Sequence, residues 1–100
     1  MKKVSVVIPN YNGMQYVKRC LDSLMVQTLK EWEILFVDNG STDGSRELVE
    51  QEYPMVKVIA LPENMGFCRA VNEGIRATEA EYVVLLNNDT EAEPDFLEEL

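Results

Sequence analysis

Short apolar runs alternate along the chain with segments in which apolar residues recur every three or four positions. The apolar runs cover residues 4–8, 34–37, 56–61 and 82–86, and each predicts a β-strand. The last run is apolar at every position, which predicts a strand buried on both faces of a sheet. Lys57 interrupts the third run, so we expect that strand to be less buried.

The intervening segments have the periodicity of amphipathic helices. The first predicted helix follows Asn12, which can act as its N-cap with Gln15 as the capping-box partner. The second runs from about 45 to 53 and ends before Pro54, and the third runs from about 66 to 78. Pro94 suits the first turn of a last helix. In the third helix we expect one shared apolar face made of Phe67, Ala70, Val71 and Ile75.

This alternation of strands and helices predicts an α/β fold with a parallel sheet of about four strands. The chain has 100 residues, which is one small domain or part of one. Because the sequence stops in or just after a helix, with no strand to follow, we expect it to be the first part of a larger domain. Apolar surface beside the fourth strand would then be uncovered, and we expect this fragment to self-associate.

Charge is spread unevenly along the chain, which has a formal net charge of -9. Residues 1–78 carry ten acids and nine bases, whereas residues 79–100 carry eight acids and no base. This balance argues against a nucleic-acid partner, because phosphate binding needs clustered Lys and Arg. It permits a metal ion, although most of the acids after position 90 are expected to lie on the solvated face of a helix.

Histidine is absent from the sequence, which excludes Ser–His and Cys–His catalytic pairs and histidine-bound zinc in these residues. Cys20 and Cys68 are far apart and form no C-x-x-C motif. We expect partly buried free thiols in a reducing compartment, with a disulfide or a nucleophile as the alternative. No apolar run is long enough for a signal peptide core or a membrane span, so we expect a cytoplasmic protein; a longer form can also associate with a membrane.

Polar residues follow each predicted strand. They are residues 9–12, Asp38, residues 63–64 and residues 87–90. Because the carboxyl ends of parallel strands share one edge of a sheet, we expect these residues to converge there, where ligands bind in open α/β sheets. Asp89 is a lone carboxylate in the last group, and it suits a divalent cation with a diphosphate. The alternative is a polar turn that closes the strand.

The loop after the first strand lacks both G-x-G-x-x-G and G-x-x-x-x-G-K-[ST]. A phosphate must therefore be held by a metal ion or by a side chain such as Arg69. Asp38 occupies the place of a ribose-binding acid, and it could also accept hydrogen bonds from a nucleobase. Alternatively, Asp38 forms an Asx-turn or cap ahead of Ser41 and Thr42.

Four segments stand in a fixed order along the chain: VVIPNYN at 6–12, ILFVDNGSTDG at 34–44, NMGFCRAVNEG at 64–74 and LLNND at 85–89. Together these segments resemble the family 2 glycosyltransferases. The resemblance covers nearly all of the chain, and the order of the four segments makes it specific. It implies the three-layer, Rossmann-like GT-A fold, with helices on both faces of the sheet. Residues 1–100 would be the N-terminal part that binds a nucleotide-sugar donor, truncated before the acceptor-binding half.

The same resemblance implies roles for individual residues. Asp89 would be the metal-binding acid of the D-x-D motif, for Mg²⁺ or Mn²⁺, although an amide replaces the first acid of that motif here. Asp38 would hold the base. The other implied nucleotide-sugar-binding residues are Pro9, Tyr11, Asn12, Asn64, Gly66, Arg69, Asn87 and Asn88.

The implied reaction moves a sugar from a nucleoside-diphosphate donor to an acceptor hydroxyl, with inversion and with a metal ion stabilising the leaving diphosphate. The acceptor would be a saccharide or a lipid-linked saccharide, in bacterial-type polysaccharide or glycoconjugate synthesis. The general base is expected beyond Leu100, so no catalytic residue is assigned in this chain. The alternative is a binding module of the same fold without catalysis.

Overall fold

The computed structural model describes residues 4–27 and 31–89. In chain order the elements are β1 (Val4–Asn10), α1 (Met14–Met25), β2 (Trp32–Asp38), α2 (Ser45–Glu52), β3 (Lys57–Ala60), α3 (Phe67–Arg76) and β4 (Tyr82–Leu85). Each predicted strand and helix in these ranges is present, and the helix predicted after Pro94 lies outside them. Within these ranges no helix is long and apolar enough to cross a bilayer.

The four strands form one sheet in the order β3-β2-β1-β4, and every neighbouring pair is parallel. Val7 on β1 is aligned with Leu35 on β2 and with Leu85 on β4. Parallel pairing requires each connection to return to the same end of the sheet, and α1, α2 and α3 provide those connections. The predicted parallel α/β fold is therefore confirmed.

Successive side chains of β1 point to opposite faces of the sheet, and both faces are covered, which explains why the strand is apolar on both sides. Val6 and Ile8 belong to a core that also contains Val17 and Leu21 of α1 and Val49 of α2. Val7 belongs to a second core on the other face, with Leu35, Val37 and Ala70 of α3. Helices thus cover both faces, and the molecule has three layers.

The prediction that the fourth strand is buried on both faces is wrong. Val83 and Leu85 are 40% and 45% exposed. Both lie opposite β1 residues that face α3, but α3 packs over β1 and β2 and leaves this side of β4 open. On the opposite side Val84 packs against the first core.

The apolar face predicted for α3 is also wrong in part. Phe67 and Ile75 are 55% and 46% exposed, whereas Ala70 and Gly74 are buried. A Cβ atom at Gly74 would lie 2.5 Å from Cγ1 of Val7. The helix therefore approaches the sheet through its small residues, because close approach leaves no room there for large ones.

Asn12 is not the N-cap of α1, contrary to the sequence-based prediction. The cap is Gly13, and Asn12 has a φ of 51°, a left-handed conformation that asparagine tolerates. Its Oδ1 accepts a hydrogen bond from the Thr42 N–H at 2.8 Å. The first N–H of α1, from Met14, is bound by Asp43 Oδ2 at 3.0 Å, so a tertiary contact supplies the cap.

Both cysteines are free thiols. Cys20 is buried on α1, as expected, whereas Cys68 is exposed, because it lies on the solvent side of the first turn of α3. Burial, followed by the negative charge of Asp89, raises the pKa of Cys20 to about 11. Cys20 therefore stays protonated and unreactive at neutral pH.

Candidate functional site

The carboxyl ends of all four strands meet at one edge of the sheet. The chain leaves β1 toward β2 and β3 on one side, whereas β4 pairs with the other side of β1. The connections therefore reverse direction between β1 and β4. Such a switch point opens a crevice outside the strand ends, and it is where ligands bind in open α/β sheets.

A pocket of about 320 Å³ occupies this crevice. It is rich in side-chain amides, with two half-exposed aromatic rings and one carboxylate. Amides offer donors and acceptors together, and exposed rings can stack against a planar base, so this lining suits a polar ligand that carries a nucleobase. The lining residues are Pro9, Asn10, Tyr11, Asn39, Asn64, Phe67, Asn87, Asn88 and Asp89.

Most of the residues predicted from sequence for nucleotide-sugar or metal binding line this pocket. They are Pro9, Tyr11, Asn64, Asn87, Asn88 and Asp89. Asn12, Asp38, Gly66 and Arg69 do not line it. The ligand roles of all ten stay predictions, while their gathering at one edge is a property of the fold.

Three further lining residues were given no ligand role from the sequence: Asn10, Asn39 and Phe67. Each is a direct neighbour of a residue that was, at the end of β1, after Asp38 and after Gly66. For Asn10 and Asn39, the position at the end of a strand was the available signal. An asparagine as the last residue of an apolar strand, as at Asn10, was the clearest one.

Asp38 lies beneath the pocket and is 1% exposed. Its Oδ1 accepts a hydrogen bond from Asn10 Nδ2 at 3.0 Å, and its Oδ2 accepts one from the Ser41 N–H at 3.0 Å. The second bond is the cap ahead of Ser41 that the sequence offered as an alternative. Asp38 thus holds the loop after β2, and any contact with a base would involve its remaining lone pairs.

Asn39 ties the loop after β2 to the segment that enters α3. Its Oδ1 accepts a hydrogen bond from the Met65 N–H at 2.8 Å. Its Nδ2 donates to Asn64 Oδ1 at 3.0 Å and to the Gly66 carbonyl at 3.2 Å. One wall of the pocket is therefore cross-linked by side-chain amides before any ligand arrives.

Arg69 lies in the first turn of α3, whose first residue, Phe67, lines the pocket. The Arg69 side chain is 60% exposed, and its Nε lies 3.9 Å from Glu73 Oε1. An exposed ion pair at this distance holds a side chain only weakly. The ion pair therefore restrains the Arg69 side chain only slightly.

Asp89 is exposed on the pocket, and the two residues before it, Asn87 and Asn88, carry side-chain amides that also line the pocket. Carboxylate and amide oxygens are suitable ligands for Mg²⁺ and Mn²⁺. The described ranges contain no group of three or more His, Cys, Asp or Glu side chains that could hold a metal ion. This donor set fits a cation shared with phosphate oxygens, since Mg²⁺ is commonly bound through one or two carboxylates plus a substrate phosphate.

Comparison with known proteins identifies the family. Residues 5–100 match the sequence profile described as glycosyl transferase family 2. The chain is 37% identical to glycosyltransferase GlyA of Streptococcus pneumoniae, across 98% of this chain and 14% of that protein. It is 34% identical to the putative teichuronic acid biosynthesis glycosyltransferase TuaG of Bacillus subtilis, across 95% of this chain and 39% of that protein.

Solved structures agree with the sequence comparison. S. aureus TarS 1-349 in complex with UDP superposes with a TM-score of 0.90 and 31% identity, covering 99% of this chain and 30% of that chain. The mannosyltransferase PcManGT from Pyrobaculum calidifontis, in complex with GDP-Man and Mn²⁺, gives a TM-score of 0.78 and 28% identity. That match covers 87% of this chain and 27% of PcManGT.

The chain thus spans a minor part of each relative, 14% of GlyA and 39% of TuaG. The match to TarS covers 99% of this chain, and the architecture is that of a GT-A glycosyltransferase. The chain belongs to glycosyl transferase family 2.

Proposed function

We propose that the protein transfers a sugar from a nucleoside-diphosphate sugar to an acceptor hydroxyl, in the synthesis of a bacterial-type polysaccharide or glycoconjugate. Residues 1–100 form its donor-binding part. The observation that carries the proposal is the amide-lined pocket at the switch point between β1 and β4, with the carboxylate of Asp89 exposed on it.

The nucleoside is held at the end of the pocket near Tyr11 and Phe67. These side chains are 50% and 55% exposed, so their rings are available for contact with a planar base or a ribose. Asn39 and Asn64 are already bonded to each other and present a fixed polar wall. The UDP complex of TarS and the GDP-Man complex of PcManGT support a nucleoside diphosphate as the ligand class.

The diphosphate lies toward Asp89 in this proposal. A Mg²⁺ or Mn²⁺ ion bound there would stabilise the negative charge that develops on the leaving diphosphate. Asp89 supplies a carboxylate oxygen to hold such an ion, and Asn87 and Asn88 supply amide oxygens or donors beside it. Arg69, in the first turn of α3, provides a mobile positive charge near the same phosphates.

Inversion at the sugar carbon requires the acceptor hydroxyl to attack from the side opposite the diphosphate while a base removes its proton. Among the described residues, Asp89 is the one carboxylate that lines the pocket, and it is assigned to the cation. We place the base and the acceptor site beyond Leu100, because the resemblance to family 2 glycosyltransferases implies that both belong to the acceptor-binding half. We place the protein in the cytoplasm, which the two free thiols favour because disulfides are rare in reducing compartments.

Calorimetry with UDP and with GDP, each with and without Mn²⁺, tests the proposal. We expect binding that depends on Mn²⁺, and the Asp89→Ala variant should weaken it by about tenfold or more, equivalent to about 1.4 kcal/mol or more. Asn88→Ala should weaken it less. Glu81→Ala, which removes an exposed acid at the other edge of the sheet, is the matched control and should bind like the wild type.

Equal affinity in Asp89→Ala and the wild type would contradict the assignment of the cation to Asp89.

The alternative function, a nucleotide-sugar-binding module without catalysis, is favoured by one observation. Asn87 stands where the D-x-D motif has its first acid, so the site carries a single carboxylate. Nucleotide binding without any release of sugar from the donor, measured on a longer form with the acceptor part, would select that alternative.

A further inference from the structure

A hydrogen bond between two asparagine side chains that line the pocket joins the last residue of β1 to the loop after β4. Asn10 Oδ1 accepts from Asn88 Nδ2 at 2.7 Å. Asn10 is 2% exposed, and its Nδ2 faces Asp38 Oδ1 at 3.0 Å and Ser45 Oγ at 2.9 Å. The Asn10 amide is therefore fully engaged at both ends, with acceptors on one side and a donor on the other.

The orientation of these two amides follows from Asp38. Its two carboxylate oxygens accept from Asn10 and from the Ser41 N–H, so the NH₂ end of Asn10 must face it. The carbonyl oxygen of Asn10 then points to Asn88, which must donate a hydrogen bond to it from its own NH₂ group. The opposite atom, Asn88 Oδ1, has no hydrogen-bond partner within residues 4–27 and 31–89, and Asn88 lines the pocket.

Gly13 makes room for this contact. A Cβ atom at position 13 would lie 2.1 Å from Asn88 Nδ2 and 2.4 Å from Asn10 Oδ1, on top of the hydrogen bond itself. The backbone φ of Gly13 is -99°, which any residue can adopt. Glycine is therefore required at position 13 because any side chain would collide with the hydrogen-bonded pair Asn10–Asn88, and not because of the backbone conformation.

We propose that Asn10 is a positioning residue, which turns the Asn88 amide so that its carbonyl oxygen, and not its NH₂, is presented to the pocket beside Asp89. An amide oxygen next to a carboxylate forms an oxygen donor pair for a divalent cation, whereas an NH₂ group there would repel it. The binding of a cation at this place rests on the proposed function. The orientation of the Asn88 amide does not, because the hydrogen bond to Asn10 is present in the protein without any ligand.

Nuclear magnetic resonance of the side-chain NH₂ groups tests the orientation in the absence of ligand. In the wild type, the Asn88 NH₂ protons should exchange with water more slowly than those of Asn72, an exposed asparagine on α3. Asn10→Ala removes the acceptor and Gly13→Ala displaces it sterically, so both should raise Asn88 exchange to the Asn72 rate. Asn72→Ala is the matched control and should leave Asn88 unchanged.

A wild-type Asn88 NH₂ that exchanges as fast as Asn72, or one that Asn10→Ala leaves protected, would overturn the inference. The wild-type measurement decides the orientation even if a variant does not fold. Gly13→Ala leaves both asparagines in place, so its effect on Asn88 distinguishes loss of this contact from loss of a buried side chain.

Mn²⁺ binding, followed with the metal ion alone and then with UDP, tests the consequence for the pocket. In Asn10→Ala the affinity for Mn²⁺ should fall about fivefold to tenfold, as expected for the loss of one polar contact of ordinary strength. Unchanged Mn²⁺ affinity in this variant would overturn the link to the cation. If Mn²⁺ and UDP fail to bind the wild type, the proposed function and this link fall together, while the exchange rates still decide the orientation of Asn88.

Discussion

Gly40 lies where the loop after β2 touches the segment that leads into α3, and we expect Gly40→Ala to be among the most destabilising small substitutions in the chain. Two separate costs act at this position. The residue has a φ of 78°, in the left-handed region that disfavours a side chain. A Cβ atom there would also lie 2.5 Å from the Cα and the carbonyl carbon of Glu63, which are backbone atoms.

The two costs have different sizes. A left-handed conformation costs an alanine about 1–2 kcal/mol. Forcing packed backbone apart adds about 1–3 kcal/mol. Alanine also lowers the conformational entropy of the unfolded chain, which offsets about 0.4–1 kcal/mol of this destabilisation. We therefore expect Gly40→Ala to lower the free energy of unfolding by about 1–5 kcal/mol, most of it from the contact with Glu63.

Gly44 provides the matched control, since its φ of 89° carries the same conformational cost. A Cβ atom at Gly44 would meet the flexible end of Met14 at 3.3 Å, which can move aside. Gly44→Ala should therefore cost about 1 kcal/mol. Urea unfolding of both variants measures the difference, provided that the dependence of stability on denaturant is unchanged.

Equal destabilisation by the two substitutions would refute this reasoning, because it would show that the close approach to Glu63 contributes nothing. A second consequence concerns the pocket. The segment at Glu63 leads directly into Asn64, which lines the pocket, so Gly40→Ala should also disturb nucleotide binding in the protein that remains folded. Gly44→Ala should disturb it less.

Other predictions concern pH, thiol chemistry and association. Burial acts to raise the pKa of Asp43, but hydrogen bonds from Ser45 and from the Met14 N–H outweigh it and lower that pKa. The stability that Asp43 contributes is therefore present above about pH 4 and is lost as pH falls through the lowered pKa. The difference in unfolding midpoint between the wild type and Asp43→Asn should shrink on acidification, and a constant difference would contradict this. An alkylating reagent at neutral pH should modify the exposed Cys68 and leave Cys20 unmodified, and mass spectrometry would measure both. Rapid modification of Cys20 in folded protein would contradict its burial and its raised pKa. The exposed Val83 and Leu85 on β4 lead us to expect self-association of the 100-residue chain, which the double variant Val83→Thr/Leu85→Thr should reduce; light scattering that finds only monomer in the wild type at high micromolar concentration would contradict this.

The order of strands and helices could be predicted from the sequence because burial on both faces makes the central strands continuously apolar. β1 and β2 are such strands, and the sequence located both. Parallel pairing followed from the helices between them, and the shared edge of polar residues followed from parallel pairing. This part of the site was predictable because it depends on topology alone.

The position of β4 at the open side of the sheet could not be predicted in the same way. Its composition is that of a central strand, but exposure depends on which helix covers it, and α3 packs over β1 and β2 instead. The packing of α3 through Ala70 and Gly74 was hidden for a related reason, since small residues give no signal of burial in a pattern of apolar positions.

The hydrogen bonds within the site lay beyond the sequence as well. Asn12 fits an N-cap by composition, yet its side chain reaches the Thr42 N–H, a partner on another loop. The contact between Asn10 and Asn88 spans 78 positions, and only the folded chain brings the two together. Side chains with many possible partners are placed by tertiary geometry, which local pattern does not encode.

The central claim is that the strand ends around Asp89 form a binding site for a nucleoside diphosphate with a cation. Titration of isotope-labelled protein with UDP and Mg²⁺, followed by amide chemical shifts, tests it most directly. We expect the shifts to concentrate at Tyr11, Asn64 and Asn88, with little change at Ser5 and Thr78, which are bonded to each other at the opposite edge of the sheet. Shifts centred on Ser5 and Thr78, or none at all in folded protein, would contradict the claim.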